Sequence, residues 1–251
     1  MTTFGIRAAG SGGASSVFSI GRLFAVLMAA LFISGCAQTR SQLTTEGAPV
    51  VGSAPKVLMM KADVEISVLT AAGLEEPNAE WTEQAKSHLD GSLSEVLGGK
   101  SVTMIPYEPV GGVGPESLNE AQILKLHEAV GASVLLHKYV PGLALPTKQN
   151  RFDWTMGEAI APLRAKYDAD YVMFLFLRDS FSSAGRVAAN VVFVLLGAGA
   201  HGGQQVGYAS LVDMKTGNVV WFNFLHSTTG DLRKEEGSRL AIRNLLDEAP
   251  L

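Results

Sequence analysis

The feature that most constrains this chain is an apolar run, Leu23–Ser34, that directly follows Arg22. Its 12 residues match the hydrophobic core of an export signal. They are too few for a membrane-spanning helix, which needs about 20 apolar residues. No acidic residue precedes Glu46, so the flank of the run is positive. Residues 1–35 are therefore predicted to be a signal peptide, and the fold must be built from the residues after it.

The run ends in Ile33-Ser34-Gly35-Cys36, and Cys36 is the only cysteine of the chain. These four residues resemble the lipobox of bacterial lipoproteins. The resemblance implies cleavage before Cys36, a diacylglycerol on its sulfur and usually an acyl group on the new amino terminus. Two or more acyl chains anchor a protein stably. Ala37, rather than an aspartate, implies the periplasmic face of the outer membrane. An ordinary signal peptide with a chance cysteine and sorting to the inner membrane are the alternatives.

A lipidated tether is predicted over residues 36–55. Residues 37–54 are mostly polar or small, Pro49 interrupts them and Pro55 follows. As a flexible coil they would span about 23 Å. One folded domain is then expected over residues 56–251.

The pattern of this domain is that of an ordered α/β protein, because 47% of the chain is hydrophobic and 18% is charged. The predicted elements are a strand over 56–69, a helix from Asn78 to about Leu97, a strand over 101–105, a helix from Ser117 through Ala129 or beyond, a helix from Asp153 to about Tyr167, strands over 171–177, 206–212 and 218–225, and a helix over 231–247. Gly131 is a candidate end of the second helix, and residues 132–140 stay open between helix and buried strand. This order favours a single α/β (α+β) domain, with a mixed sheet of about five strands and helices packed on it.

Three segments carry a second resemblance: Ala169–Met173, Gly207–Asp213 and Lys215–Trp221. A buried strand after a helix, followed later by a hairpin with a Lys-Thr-Gly turn, resembles the fold of the TolB amino-terminal domain. The curli-secretion lipoprotein CsgG, the penicillin-binding-protein activator LpoB and several uncharacterised outer-membrane lipoproteins share that fold. The resemblance covers about residues 56–247 and implies a fold, whereas folds of this kind do not specify an activity.

No catalytic motif stands out. The chain has neither a GxSxG elbow nor an HExxH helix, and its five histidines lack close ligand spacing. Residues 197–202 match GxGxxG, but a predicted strand comes after them where a nucleotide site needs a helix. The net charge of -4 does not favour nucleic-acid binding. We therefore expect no enzymatic activity, no cofactor, no metal site and no nucleic-acid partner.

A polar rim is the first candidate site. Charged residues fall at the predicted ends of strands and starts of helices, where ligands bind in α/β sheets. They are Lys148, Asp153, Arg178, Asp179, Arg186, Asp231 and Arg233. Caps and salt bridges are the favoured interpretation, because such pairs are common at these positions.

The segment Val187–Ala200 is the second candidate, since Asn190 is its only polar side chain. It is too short to span a bilayer as a helix, and it lacks the alternation of a pore hairpin. Burial as a strand or helix is the favoured interpretation. The alternative is an exposed surface around Val191, Phe193 and Leu195 that serves self-association, a partner or the membrane.

Three function classes are consistent with these features. The first is a lipid-anchored outer-membrane protein, facing the periplasm, that acts non-enzymatically through contacts with envelope proteins or further copies of itself. The second is an oligomeric secretion or channel component of the CsgG type. The third is a small-ligand binder or enzyme that uses the polar rim around Asp153 and Arg178.

Overall fold

A computed structural model describes most of the chain beyond the predicted signal peptide. The described residues are 37–44, 48, 54–109, 111, 114–149, 151–195 and 202–251, apart from the side chains of Phe193 and Val194. The signal peptide, the lipidation site Cys36 and residues 197–201 of the glycine-rich match lie outside the described residues. Residues 37–251 form one compact unit.

Eight strands of the described chain form one mixed sheet. They are β1 (Gln38–Leu43), β2 (Lys56–Met59), β3 (Asp63–Leu69), β4 (Glu75–Pro77), β5 (Thr103–Pro106), β6 (Tyr171–Ser182), β7 (Gln205–Asp213) and β8 (Val219–Ser227). The order is β1-β8-β7-β6, with β2 and β3 both beside β6, β5 beside β2, and β4 beside β3. The predicted α/β fold with one mixed sheet is confirmed, whereas the prediction of about five strands was too low.

Two of the extra strands arise near residues 56–77. Val57 lies opposite Tyr171, whereas Asp63 lies opposite Phe176, so β2 and β3 together carry one residue more than β6 does. This insertion breaks the predicted single strand in two, as a bulge does. The short β4 then folds back antiparallel on β3.

The third extra strand is β1, and it corrects the predicted tether. Gln38 lies opposite His226 and Leu43 opposite Trp221, in an antiparallel pairing with β8. The Nε1–H of Trp221 donates to Ser41 Oγ at 2.9 Å. The prediction of a coil is therefore wrong for residues 38–43. Their polar sequence does not signal a strand, but backbone pairing covers an edge of β8 that would otherwise stay open.

Five α-helices accompany the sheet in the described residues. They are α1 (Ala79–Gly98), α2 (Pro115–Val134), α3 (Ala161–Lys166), α4 (Ala184–Leu195) and α5 (Glu235–Leu246). The predicted cap of α1 is confirmed, because Asn78 Oδ1 accepts from the Trp81 N–H at 2.9 Å. The predicted cap at Asp153 is wrong, because no helix begins there. A 3₁₀ turn, Gly157–Ile160, leads into α3 instead.

The candidate end of α2 at Gly131 is not observed, and the structure assigns residues 132–139 to helix rather than strand. The helix continues to Val134 and then into a π-helical turn, Leu135–Tyr139. A Cβ added at Gly131 would lie 2.2 Å from the Tyr208 ring. This glycine therefore permits close packing of the helix on the sheet, and it does not terminate the helix.

The core lies on both faces of the sheet, because successive strand residues point to opposite sides. Leu175 and Trp221 face α1 and α5 in one cluster. Phe174 and Tyr208 face α2 and the segment before α3 in the other. The apolar sequence of β6 is thus explained by burial on both sides, as predicted.

Candidate functional site

Helix α4 presents an apolar face to solvent. The exposed fractions are 53% for Val187, 55% for Val191, 54% for Val192 and 81% for Leu195. We call these four side chains the outward face of α4. The favoured prediction that this segment is buried is wrong for them, because an apolar sequence alone does not show which side of a helix meets the core.

Two of the three residues predicted to form an exposed surface, Val191 and Leu195, belong to this outward face. The side chain of Phe193, the third, lies outside the described part of the structure. The use of this surface as an interface stays a prediction.

The polar side chains of α4 lie on its other side. Arg186 and Asn190 are both partly buried. The exposed residues of the helix, by contrast, are all apolar or lack a side chain. They are Ala184, Gly185, Val187, Ala188, Val191, Val192 and Leu195, and they fall within an arc of about 160° at helical spacing. Both polar side chains of this mainly apolar helix therefore lie on its partly buried side, whereas polar residues of a surface helix normally face solvent.

This helix begins at the end of the sheet where β1 starts. Gln38, the first residue of β1, pairs with His226 near the end of β8. Gln205, the first residue of β7, pairs with both Ser227 and Asp179. Strand β6 finishes at this end with Ser182, and α4 starts two residues later. We call it the proximal end of the sheet.

The turn between β3 and β4 extends the apolar surface at the proximal end. Leu69, the last residue of β3, pairs with Ser182. In the turn after it, Ala71 and Ala72 are exposed and Leu74 is 65% exposed. A Cβ added at Gly185 would lie 3.5 Å from the Cβ of Ala71, so the turn adjoins the first turn of α4.

The structure separates the polar rim into three groups. Lys148 and Asp153 form the first, with Nζ and Oδ1 2.8 Å apart. The hydrogen bond from Lys148 lowers the pKa of Asp153. The Lys148 ammonium also lies 4.4 Å from the centre of the Trp154 ring. Because the Trp154 carbonyl accepts from the Val219 N–H at the start of β8, this pair belongs to the opposite end of the sheet.

Arg178 and Arg186 form the second group. Both line a cavity of about 350 Å³ near the proximal end, together with Ser67, Asp179 and Gln204. Arg178 is already held by Asp63, with Nη1 and Oδ1 3.0 Å apart. Its guanidinium carbon lies 3.9 Å from the Phe176 ring centre. These contacts give Arg178 a structural role.

The third group joins β6 to the loop before α5. Asp179 is 3% exposed, and its Oδ2 accepts from the Leu232 N–H at 2.9 Å and from Gln205 Nε2 at 3.4 Å. Burial raises the pKa of Asp179 to about 7, against the opposing effect of these hydrogen bonds. Asp231 pairs with Arg233 at 2.8 Å, and the guanidinium carbon of Arg233 lies 3.5 Å from the Phe181 ring centre. Three rim residues, Arg178, Asp179 and Arg186, thus share one cavity, whereas Lys148 and Asp153 lie at the other end of the sheet. Convergence of all seven residues, the less favoured interpretation, is not observed.

A buried polar pair was not predicted from the sequence. His127 Nε2 and Ser210 Oγ lie 2.7 Å apart between α2 and the sheet. The imidazole stacks on Phe174 with ring centres 4.5 Å apart, and burial lowers the pKa of His127 to about 3. The ring is thus neutral at physiological pH. No local motif signals this pair, because its members are 83 residues apart.

The described residues show neither a metal cluster nor a membrane-spanning helix. No three His, Cys, Asp or Glu side chains in those ranges lie close enough together to hold a metal ion. Among the same residues, no helix has the length and apolarity needed to cross a bilayer.

Similarity to known proteins is distant. No family model and no curated protein matches the chain. Two solved structures of PelC dodecamers from Paraburkholderia phytofirmans, one of a single-substitution form, are similar to it. The substituted form shows 14% identity over 86% of this chain and 98% of its own, with a TM-score of 0.37. The other shows 15% identity over 86% and 96%, with a TM-score of 0.36. Likenesses this distant assign no function to the chain.

Proposed function

We propose that this protein is a lipoprotein anchored to the periplasmic face of the outer membrane, and that it acts there without catalysis, through contacts with other envelope proteins or with further copies of itself. The observation that carries the proposal is the position of Cys36, two residues before the first strand of the sheet.

The short spacing matters because it leaves almost no slack. Two residues reach at most about 7 Å, whereas the predicted tether would have spanned about 23 Å. An acylated Cys36 therefore holds the proximal end of the sheet against the leaflet. A domain held in this way is suited to contacts made at the membrane surface.

The surface for protein contacts is proposed along β1 and the π-helical turn. Among the described residues, no strand pairs with the side of β1 that faces away from β8, so backbone groups on that side are open to a partner. Leu43 on β1 is 55% exposed. Tyr139 connects the two elements, because its hydroxyl donates to the Arg40 carbonyl at 3.0 Å.

The neighbouring turn and loop add apolar area to this surface. Leu136, Val140 and Leu143 are 44%, 42% and 45% exposed. Isolated exposed apolar residues are ordinary, whereas a contiguous group beside an open strand edge is typical of a contact surface.

Fractionation and photo-crosslinking in the native bacterium test the proposal. The full-length protein is expected in the outer-membrane fraction, and a Cys36→Ser variant is expected to leave it. A photo-reactive amino acid at Leu143 should give discrete adducts, with a partner or a second copy, whereas one at Leu240 on α5 serves as the matched exposed control. A soluble wild-type protein, or equal adducts at both positions, would contradict the proposal.

A further inference from the structure

The outward face of α4 is unfavourable in water. A surface helix normally turns its apolar side to the core and its polar side to solvent. Here both polar side chains, Arg186 and Asn190, are partly buried, as Ala189 is, while Val191 and Leu195 face solvent. An exposed apolar stripe of this kind marks a surface that is covered when the protein works.

The place of α4 in the fold indicates what covers it. Through the sheet register, Gln38 is level with Arg178 on β6, three strand spacings away. That is about 14 Å across the sheet, and Ser182 lies about 13 Å further along β6. The start of α4 is thus within about 20 Å of Gln38, and Cys36 is two residues before Gln38. The apolar surface therefore lies at the end of the sheet from which the chain leads back to Cys36.

We propose that the outward face of α4 binds the lipid surface itself, by lying in the interface of the leaflet that holds the acyl chains of Cys36. The exposed turn at Leu74 enters the same interface beside it. This inference rests on the proposed function, because the acyl anchor is what brings the proximal end to the membrane.

The dimensions fit a helix that lies in the membrane plane. Twelve residues extend about 18 Å as a helix, which is short of the roughly 30 Å hydrocarbon core. Helices in the interface bury an apolar face to a depth of about 5–10 Å. The outward face of α4, composed of three valines and a leucine, has that character.

A lipid occupant fits the geometry better than a protein does. With Cys36 in the leaflet, a protein partner on α4 would have to fit between the proximal end and the headgroups. Only Ala37 lies between the anchor and β1, and the two-residue step from Cys36 to Gln38 leaves about 7 Å for a partner. A packed helix alone needs roughly 8–10 Å between axes.

The charges near α4 at the proximal end of the sheet indicate which lipid headgroups fit. The outward face of α4 carries no charge, and Glu75 and Glu76 in the adjoining β4 are exposed. The Arg186 guanidinium lies beside the turn before β4 and lines one cavity with Glu75, so it offsets part of this charge. The surface beside the helix therefore has no net positive charge that would attract anionic headgroups. Zwitterionic phosphatidylethanolamine and phosphatidylcholine are therefore the expected surface, and adding phosphatidylglycerol should not strengthen the contact.

A dye at one position of the acylated protein tests this directly. Acylation occupies the Cys36 sulfur, so Val192→Cys supplies a single free thiol in the native lipoprotein. Leu240→Cys, on α5, supplies the matched control. Each protein is labelled with an environment-sensitive dye and reconstituted into phosphatidylethanolamine and phosphatidylcholine vesicles. Quenching is then measured with aqueous iodide and with lipids that carry a nitroxide near the headgroup.

The expected result is opposite behaviour of the two dyes. Iodide should quench the dye at position 192 at least about fivefold less than the dye at position 240, because the interface excludes it. The nitroxide lipid should quench the dye at position 192 and leave the dye at position 240 unquenched. Adding Val191→Gln and Leu195→Gln should abolish lipid quenching at position 192, whereas Leu118→Gln and Leu240→Gln should leave it unchanged.

Several outcomes would overturn the inference. A dye at position 192 that iodide quenches freely would show that α4 stays in water. A dye shielded from iodide but untouched by the nitroxide lipid would assign the face to a protein, either a second copy or a neighbour. An unmodified Cys36 in the mass spectrum would instead refute the proposed function, and the inference would fall with it.

Discussion

Replacing the buried carboxyl of Asp179 by an amide should change how stability depends on pH. Burial raises the pKa of Asp179 to about 7, whereas the unfolded chain titrates near 3.9, roughly. Between these values the folded state keeps a proton that the unfolded state has lost. The free energy of unfolding therefore falls as pH rises from about 4 to about 7, and it levels off above that. Asp179→Asn removes this dependence and keeps an acceptor for the Leu232 N–H.

The size of the effect is set by the pKa shift. Each pH unit within the window lowers the free energy of unfolding by about 1.4 kcal/mol. Between pH 5 and pH 8 the wild type should lose on the order of 2–3 kcal/mol through this group, relative to Asp179→Asn. The measured quantity must be a difference between the two proteins, because the lowered pKa of His127 has the opposite effect: stability is lost as pH falls below about 6.5.

Urea unfolding followed by tryptophan fluorescence measures this difference, using the soluble Cys36→Ser protein as the parent. Asp153→Asn is the control, since Asp153 is exposed and pairs with Lys148. Its lowered pKa means that the pair stabilises the fold above about pH 4, by less than about 1 kcal/mol. A stability difference between Asp179→Asn and the parent that stays constant from pH 5 to pH 8 would refute the reasoning about burial.

Three further predictions concern packing and strand pairing. Gly131→Ala should lower the free energy of unfolding by about 1–3 kcal/mol, because the added methyl group meets the buried Tyr208 ring. Gly91→Ala on α1 is the control: the added Cβ has nothing within 4 Å, so the free energy of unfolding should rise by about 0.5–1 kcal/mol. Equal effects of the two substitutions in urea unfolding would contradict this prediction. Ser210→Ala should lower the free energy of unfolding by about 1–3 kcal/mol, because it removes the hydrogen-bond partner of buried His127. An unchanged free energy in urea unfolding would show that this hydrogen bond does not stabilise the fold. Amides of residues 38–43 that pair with β8 should exchange slowly with deuterium. Rapid exchange would show that this segment is a flexible tether in solution.

The locally determined parts of the fold were predictable. The hairpin between β7 and β8 was expected from its sequence, and the structure shows why the turn forms there. Asp213 Oδ1 accepts from the Thr216 N–H at 2.7 Å, and Gly217 adopts φ of +74°. The capping of α1 by Asn78 is local in the same way. Such signals need only neighbours in the chain.

The wrong predictions concern features that depend on contacts between residues far apart in the chain. The strand at residues 38–43 forms because it pairs with the edge of β8, more than 170 residues away in the chain. The polar sequence of this strand contains no pattern that predicts the pairing. Gly131 was a candidate helix end because glycine often follows the last turn of a helix. Only the fold reveals the ring of Tyr208 beside it.

The candidate site was predictable only in part. The apolar sequence around Val191 drew attention to α4, but burial and exposure of an apolar helix look alike in sequence. Convergence of the rim residues was the less favoured interpretation, and Lys148 and Asp153 do lie at the opposite end from Arg178. Their separation depends on the order of strands in the sheet, which sequence spacing does not report.

Membrane anchoring through Cys36 is tested most directly by the mass of the amino-terminal peptide from protein extracted out of its native membrane. The mature chain should start at Cys36 and carry a diacylglycerol on the sulfur, with the peptide from the Cys36→Ser variant lacking it. A chain that starts elsewhere, or an unmodified Cys36 thiol in the membrane-extracted protein, would contradict the proposed anchoring.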